Sequence, residues 1–127
     1  MTKSINELIT IITKIITNGQ EVVFDCDQVL YDKGIWNTDL ITKILSLMPN
    51  IKIASHGSTI NGADFPYELV DHDTVMKMDG DMPAIDEHMR PIIAKILDKS
   101  MVLIDDRADE WAAITGNNNY VQYAWAV

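Results

Sequence analysis

The stretch Val22-Val23-Phe24-Asp25-Cys26-Asp27-Gln28-Val29-Leu30 decides how the rest of the chain is read. Its first three residues are β-branched or aromatic and lack the alternation of a half-exposed strand. They predict a short strand buried on both faces, the kind found in parallel sheets covered by helices. The strand stops at two acids, Asp25 and Asp27, for which a buried apolar run gives no structural reason. The same punctuation recurs downstream. Ile51-Lys52-Ile53-Ala54 ends at Ser55, and Met101-Val102-Leu103-Ile104 ends at Asp105-Asp106.

Helical patterns fill the intervals. Ser4 and Glu7 make an S-x-x-E capping pattern, in which hydroxyl and carboxylate satisfy orphan backbone N–H groups. Ile5, Leu8, Ile9, Ile12, Ile15 and Ile16 recur at helical spacing until Asn18-Gly19, which predicts a helix over about residues 4–18. A second helix starts at Thr38, carries Leu40, Ile41, Ile44, Leu45 and Met48, and breaks at Pro49-Asn50. After a loop with a brief strand at Glu68-Leu69-Val70, Pro83 opens a third helix, kinked or restarted at Pro91. A fourth, with Trp111, Ala112 and Ile114, ends near Gly116, and Tyr120 to Ala124 form a last strand. Strands alternating with helices specify an α/β fold. The expectation is a doubly wound, mainly parallel sheet flanked by helices, in a single domain over residues 1–127.

Composition sets the outer bounds. The 127 residues are 47 % hydrophobic and 23 % charged, which excludes a disordered chain, a collagen-like repeat and a disulfide-stapled miniprotein. A net charge of −9 argues against a nucleic-acid binder of the basic-patch kind and suits a protein that collects a divalent cation. The single cysteine, Cys26, allows neither an internal disulfide nor a cysteine-based zinc site, and it fits a reducing compartment. Lys3, Glu7 and Lys14 interrupt the first apolar segment, so neither a signal peptide nor a membrane span is expected there. A cytoplasmic location without a membrane partner follows as the expectation.

In open α/β sheets, ligands bind at the carboxyl ends of strands, beside the point where strand order reverses. If the three punctuated strands are neighbours, Asp25, Asp27, Asp105, Asp106 and Ser55 share one small volume. Carboxylates a few ångströms apart raise each other's pKa, and a bound Mg²⁺, which prefers hard oxygen ligands, resolves the conflict. An isolated D-x-D is unremarkable in an acidic chain. Its place at the end of a buried strand, matched by a second strand ending in paired acids, gives it weight. Cys26 between the two acids reads as buried packing. His72 and His88 lack ligand spacing for zinc.

These residues resemble the haloacid dehalogenase superfamily of phosphotransferases. Val22 to Leu30 resembles its first motif, h-h-h-D-x-D-x-h-L, with Gln28 where the family commonly has Gly. Ile51 to Ser55 resembles the second motif, and Val-Leu-Ile-Asp105-Asp106-Arg107 the fourth, which is also similar to that of polynucleotide 3′-phosphatase domains. The resemblance runs from about residue 20 onward and implies a Mg²⁺-dependent phosphatase acting on phosphomonoesters through an aspartyl-phosphate. In it, Asp25 is the nucleophile and Asp27 the general acid and base. Asp25, Asp27 (through its backbone carbonyl), Asp105 and Asp106 hold Mg²⁺, with Asp106 acting through a metal-bound water. Ser55 and a third-motif lysine bind the phosphoryl oxygens. Lys77 takes that place better than Lys95, which falls too close to Asp105.

The family selects substrates with inserted cap domains. Here only a flap hairpin, Tyr31 to Asn37 turning at Lys33-Gly34, fits after the first motif, and the interval between Ser55 and Lys77 is too short for a folded cap. A capless site is open to bulky substrates such as phosphoproteins or nucleic-acid ends, or it is closed by a neighbouring subunit of a homo-oligomer. The expected substrate is a phosphorylated small molecule or nucleic-acid end, with a nucleotide or nucleic-acid 3′-phosphate ahead. His56, Trp36 and Arg107 are the expected substrate-lining residues. The rival reading is a catalytically weak or silent metal-binding interaction module on the same fold.

Overall fold

The first element of the computed structural model, which describes residues 3–48, 51–55, 76–77 and 96–125, is helix α1 (Ile5–Thr17). Both halves of the capping box form: Ser4 Oγ accepts from the Glu7 N–H at 3.1 Å, and Glu7 Oε1 accepts from the Ser4 N–H at 3.4 Å. Leu8, Ile12 and Ile15 are the buried stripe, one face of a helix turning every 3.6 residues. Gly19, at φ +77°, ends the helix in the left-handed conformation that glycine adopts without strain.

Strand β1 (Glu21–Phe24) follows, then a two-stranded hairpin, β2 (Tyr31–Asp32) and β3 (Ile35–Trp36), and helix α2 (Thr38–Leu47). The hairpin is the expected flap. Tyr31 pairs with Trp36 and Asp32 with Ile35. Lys33 and Gly34 both take positive φ, at +50° and +82°. That combination matches the right-handed twist of a tight hairpin. Beyond α2 come β4 (Lys52–Ser55), β5 (Met76–Lys77), β6 (Met101–Asp105), helix α3 (Ala108–Thr115) and β7 (Tyr120–Gln122). The Pro83 helix, the strand at Glu68–Val70 and the histidines His56, His72 and His88 lie outside the described residues. Of the third helix only its last residues, Ile96 and Leu97, are described, and they are helical.

The five-stranded sheet runs in the order β5-β4-β1-β6-β7, and all its pairings are parallel. Side chains alternate between its faces. Val22, Phe24, Val102 and Ile104 join Leu8, Ile12 and Ile15 of α1 and Leu40, Ile41 and Ile44 of α2 in one core. Val23, Met101 and Leu103 pack on the other face with Ile96 and Trp111. The unalternating apolar runs are thus explained, because each face of the sheet meets helix. No helix among the described residues is long and apolar enough to cross a membrane.

Strand order fixes where a ligand would be received. From β1 the chain moves through β4 to β5 on one side, then returns to place β6 against the other side of β1 and adds β7 beyond it. The reversal therefore lies between β1 and β6, whose carboxyl ends are Asp25 and Asp105-Asp106.

Candidate functional site

Asp25 stands one residue past β1, and its N–H donates to the Ile104 carbonyl at 2.8 Å, extending the β1–β6 ladder. The acid-bearing ends of the two strands are thereby locked side by side. The carboxylates of Asp25, Asp105 and Asp106 each offer an oxygen, and these oxygens lie within 4.8 Å of one another. Asp25 and Asp105 are buried and Asp106 half-buried. The Asp27 carboxylate stands outside this group. The physical reason is the path of the chain. At Cys26 it leaves the sheet for a tight turn in which the Cys26 carbonyl accepts from the N–H groups of Leu30 and Tyr31 at 2.9 and 3.0 Å. The expected set of four carboxylates is a set of three, with Asp27 beside it on the turn.

Backbone donors aim two of the three. The Cys26 N–H donates to Asp25 Oδ1 at 2.9 Å, and the Arg107 N–H donates to Asp105 Oδ1 at 2.7 Å. Those bonds favour the charged forms, but burial and repulsion outweigh them. Burial, then the charge of Asp105, then contact with Asp106 and its charge hold the Asp25 pKa well above the ordinary carboxylate range. Asp105 is pushed up to about 7, chiefly by burial and also by Asp106, against the pull of the Arg107 N–H and the Trp111 side chain. Cys26 is fully buried, and burial with the charges of Asp27 and Asp25 drives its thiol up to about 12. That is a packing residue and no nucleophile at neutral pH.

On the other flank of β1, Phe24 lies in register with Ile53, so Ser55 ends β4 just beyond the level of Asp25. Ser55 is in turn the register partner of Lys77 on β5. The serine and the lysine singled out in the sequence thus come together at the same edge of the sheet as Asp25. Arg107 contributes its N–H to Asp105, while its guanidinium pairs with Glu110 one helical turn on. Trp36 is half-buried in the flap, its ring 4.8 Å from that of Tyr31, and both residues pack against the larger core.

Sequence reasoning missed three polar residues that hold this site together. Asn37 is buried at the N-cap of α2, and its side-chain amide donates to the Val29 carbonyl at 3.2 Å and to Tyr123 Oη at 3.3 Å. Tyr123, also buried, donates its N–H to the Asp105 carbonyl at 3.1 Å. Gln122 donates its side-chain amide to the Asp106 carbonyl and accepts the Asp109 N–H at 3.2 Å. Only the N-cap role of Asn37 has a sequence signal, an Asn just before an apolar helical pattern.

Three converging carboxylates, two of them buried, are a hard-oxygen donor set that could hold a metal ion, which would neutralise their mutual repulsion. Comparison with protein-family models, with curated proteins and with solved structures finds no match to this chain.

Proposed function

We propose that this chain is a Mg²⁺-dependent phosphomonoester hydrolase of the haloacid dehalogenase-like kind, built on a Rossmann-like core without a cap domain and working in the cytoplasm. The observation that carries this reading is the meeting of Asp25, Asp105 and Asp106 at the strand-order reversal between β1 and β6. The register of Ser55 with Lys77 beside them supports it, because phosphoryl oxygens need a donor and a cation there.

In this reading an Asp25 carboxylate oxygen attacks phosphorus in line, forming the P–O bond of an aspartyl-phosphate as the ester P–O bond breaks. Asp27, on the turn two residues on, gives its proton to the departing alkoxide and then takes one from the attacking water as the Asp25–phosphorus bond breaks. Ser55 and Lys77 neutralise and orient the equatorial oxygens. Asp25, Asp105 and Asp106 would hold Mg²⁺, which when bound supplies positive charge that keeps Asp25 ionised and offsets the charge of the phosphoryl group. The flap is a two-residue-turn hairpin, so bulky substrates can reach the site, and a nucleotide or a nucleic-acid 3′-phosphate is the favoured class.

Phosphate release from an aryl phosphate and from a panel of nucleotides and 3′-phosphorylated oligonucleotides tests the proposal. Turnover should require Mg²⁺, cease in chelator and vanish in Asp25→Asn. Mg²⁺ binding without turnover of any member would leave a metal-binding interaction module instead.

A further inference from the structure

We propose that Asn37 and Tyr123 are positioning residues that set the spacing of the carboxylates and, through it, the preference for Mg²⁺ over Ca²⁺; the inference rests on the metal-site reading above. Two chain segments that leave the sheet meet at the site. One is the Cys26–Leu30 turn, whose first N–H aims the Asp25 carboxylate. The other is the chain after β6, whose Arg107 N–H aims Asp105. The segment after β7 stitches them together. Tyr123 donates its N–H to the Asp105 carbonyl at 3.1 Å, and Trp125 donates its N–H to the Gln28 carbonyl at 2.6 Å.

Asn37 closes the brace from the opposite side. Its N–H donates to the Leu30 carbonyl at 2.7 Å, its side-chain amide reaches both Val29 and Tyr123 Oη, and its Oδ1 accepts the Leu40 N–H at 3.3 Å. Asn37 and Tyr123 are each 2 % exposed, so water cannot replace a bond lost between them without opening the core. One buried residue, through its backbone N–H and its side chain, therefore ties the first acid's turn, the flap, the start of α2 and the segment beside the second acid. Any shift of the Cys26–Leu30 turn moves the Cys26 N–H and so swings the Asp25 oxygens relative to those of Asp105.

Metal choice is where such a shift is read. Mg²⁺ demands near-ideal octahedral geometry with short bonds, whereas Ca²⁺ tolerates variable distances and angles. A loosened brace should weaken Mg²⁺ binding and spare Ca²⁺. Two substitutions in the full chain separate this from simple destabilisation. Tyr123→Phe deletes one oxygen and keeps the ring in the core. Asn37→Ser keeps an N-cap acceptor of equal quality but is too short to donate to Val29 and Tyr123.

Calorimetric titration with each metal alone, on wild type and both variants, gives the answer, with urea unfolding in chelator run alongside to follow stability. The expected result is a Mg²⁺ affinity about tenfold weaker in each variant, the size typical of losing an outer partner of a ligand, with Ca²⁺ affinity changed less than about twofold. Wild type that binds Mg²⁺, with variants whose Mg²⁺ to Ca²⁺ ratio is unchanged, would overturn the brace and leave the metal site standing. Wild type that binds neither metal would overturn both.

Discussion

Replacing Asp25 with Asn should make the metal-free protein more stable at neutral pH while abolishing its activity. Asp25 is 5 % exposed, and burial, then Asp105, then Asp106 raise its pKa well above the ordinary value. A carboxyl with a raised folded-state pKa binds its proton more tightly in the folded than in the unfolded chain. The stability it contributes is fully present below the unfolded pKa, near ~4, and is lost as pH rises from there through the folded pKa. Within that window each pH unit costs about 1.4 kcal/mol per carboxyl. As pH rises through that window, wild type in chelator therefore loses stability through Asp25, and Asn, with no proton to lose, loses none of it. The variant should gain on wild type by up to about 1.4 kcal/mol for each pH unit within that window, at roughly 4 °C of melting temperature per kcal/mol for a chain of this length. Thermal unfolding followed by circular dichroism at pH 5, 6, 7 and 8 in chelator measures it. Added Mg²⁺ should reverse the ranking at neutral pH by stabilising wild type alone. A stability difference independent of pH, or one that moves in favour of wild type as pH rises, would refute the account of mutual repulsion at the site.

Two further substitutions probe the turn that carries the first pair of acids. Asp27→Asn should slow hydrolysis of esters with poor leaving groups about 10²–10⁴-fold and activated aryl esters far less, because the missing proton matters most where the departing alkoxide is most basic. Equal losses across a leaving-group series would contradict the acid–base role. Gln28 is exposed and sits at φ +63°, a conformation costing about 1 kcal/mol for a residue with a Cβ. Gln28→Gly removes that strain but returns part of the gain as unfolded-chain entropy, so urea denaturation should show a stabilisation of about 0.5 kcal/mol. A loss greater than about 1 kcal/mol would mean that the Gln28 side chain holds the turn.

Local signals made much of the fold legible. Ser4 and Glu7 bounded α1, Lys33-Gly34 marked the flap because its tight turn needs two positive φ values, and Gly116 ended α3 at φ +66°. Each is a short-range rule satisfied by residues a few positions apart. Strand β5 was harder to read. Two residues, Met76 and Lys77, carry no period of their own, and only pairing with β4 makes them a strand. The lysine was picked out by the family resemblance, while its placement opposite Ser55 came from register.

At the site the division follows the same physical line. Asp25 and Asp105-Asp106 could be found because a buried strand that stops in an acid is a local anomaly. Whether the strands adjoin is a question of sheet order, which periodicity does not encode. Asp27 follows a different rule: the strand ends at Phe24 and the chain turns after Cys26, so the second acid is placed by the turn and not by strand alternation. The buried bond between Asn37 and Tyr123 spans 86 residues, and the local N-cap bond from the Leu40 N–H to Asn37 gives no hint of it. Those two residues matter to the site for the reason that hid them. A satisfied polar pair in a core rigidifies the segments that it joins. Here the segments so joined are the turn after Asp25 and the segment that follows β7, whose Tyr123 N–H meets the Asp105 carbonyl.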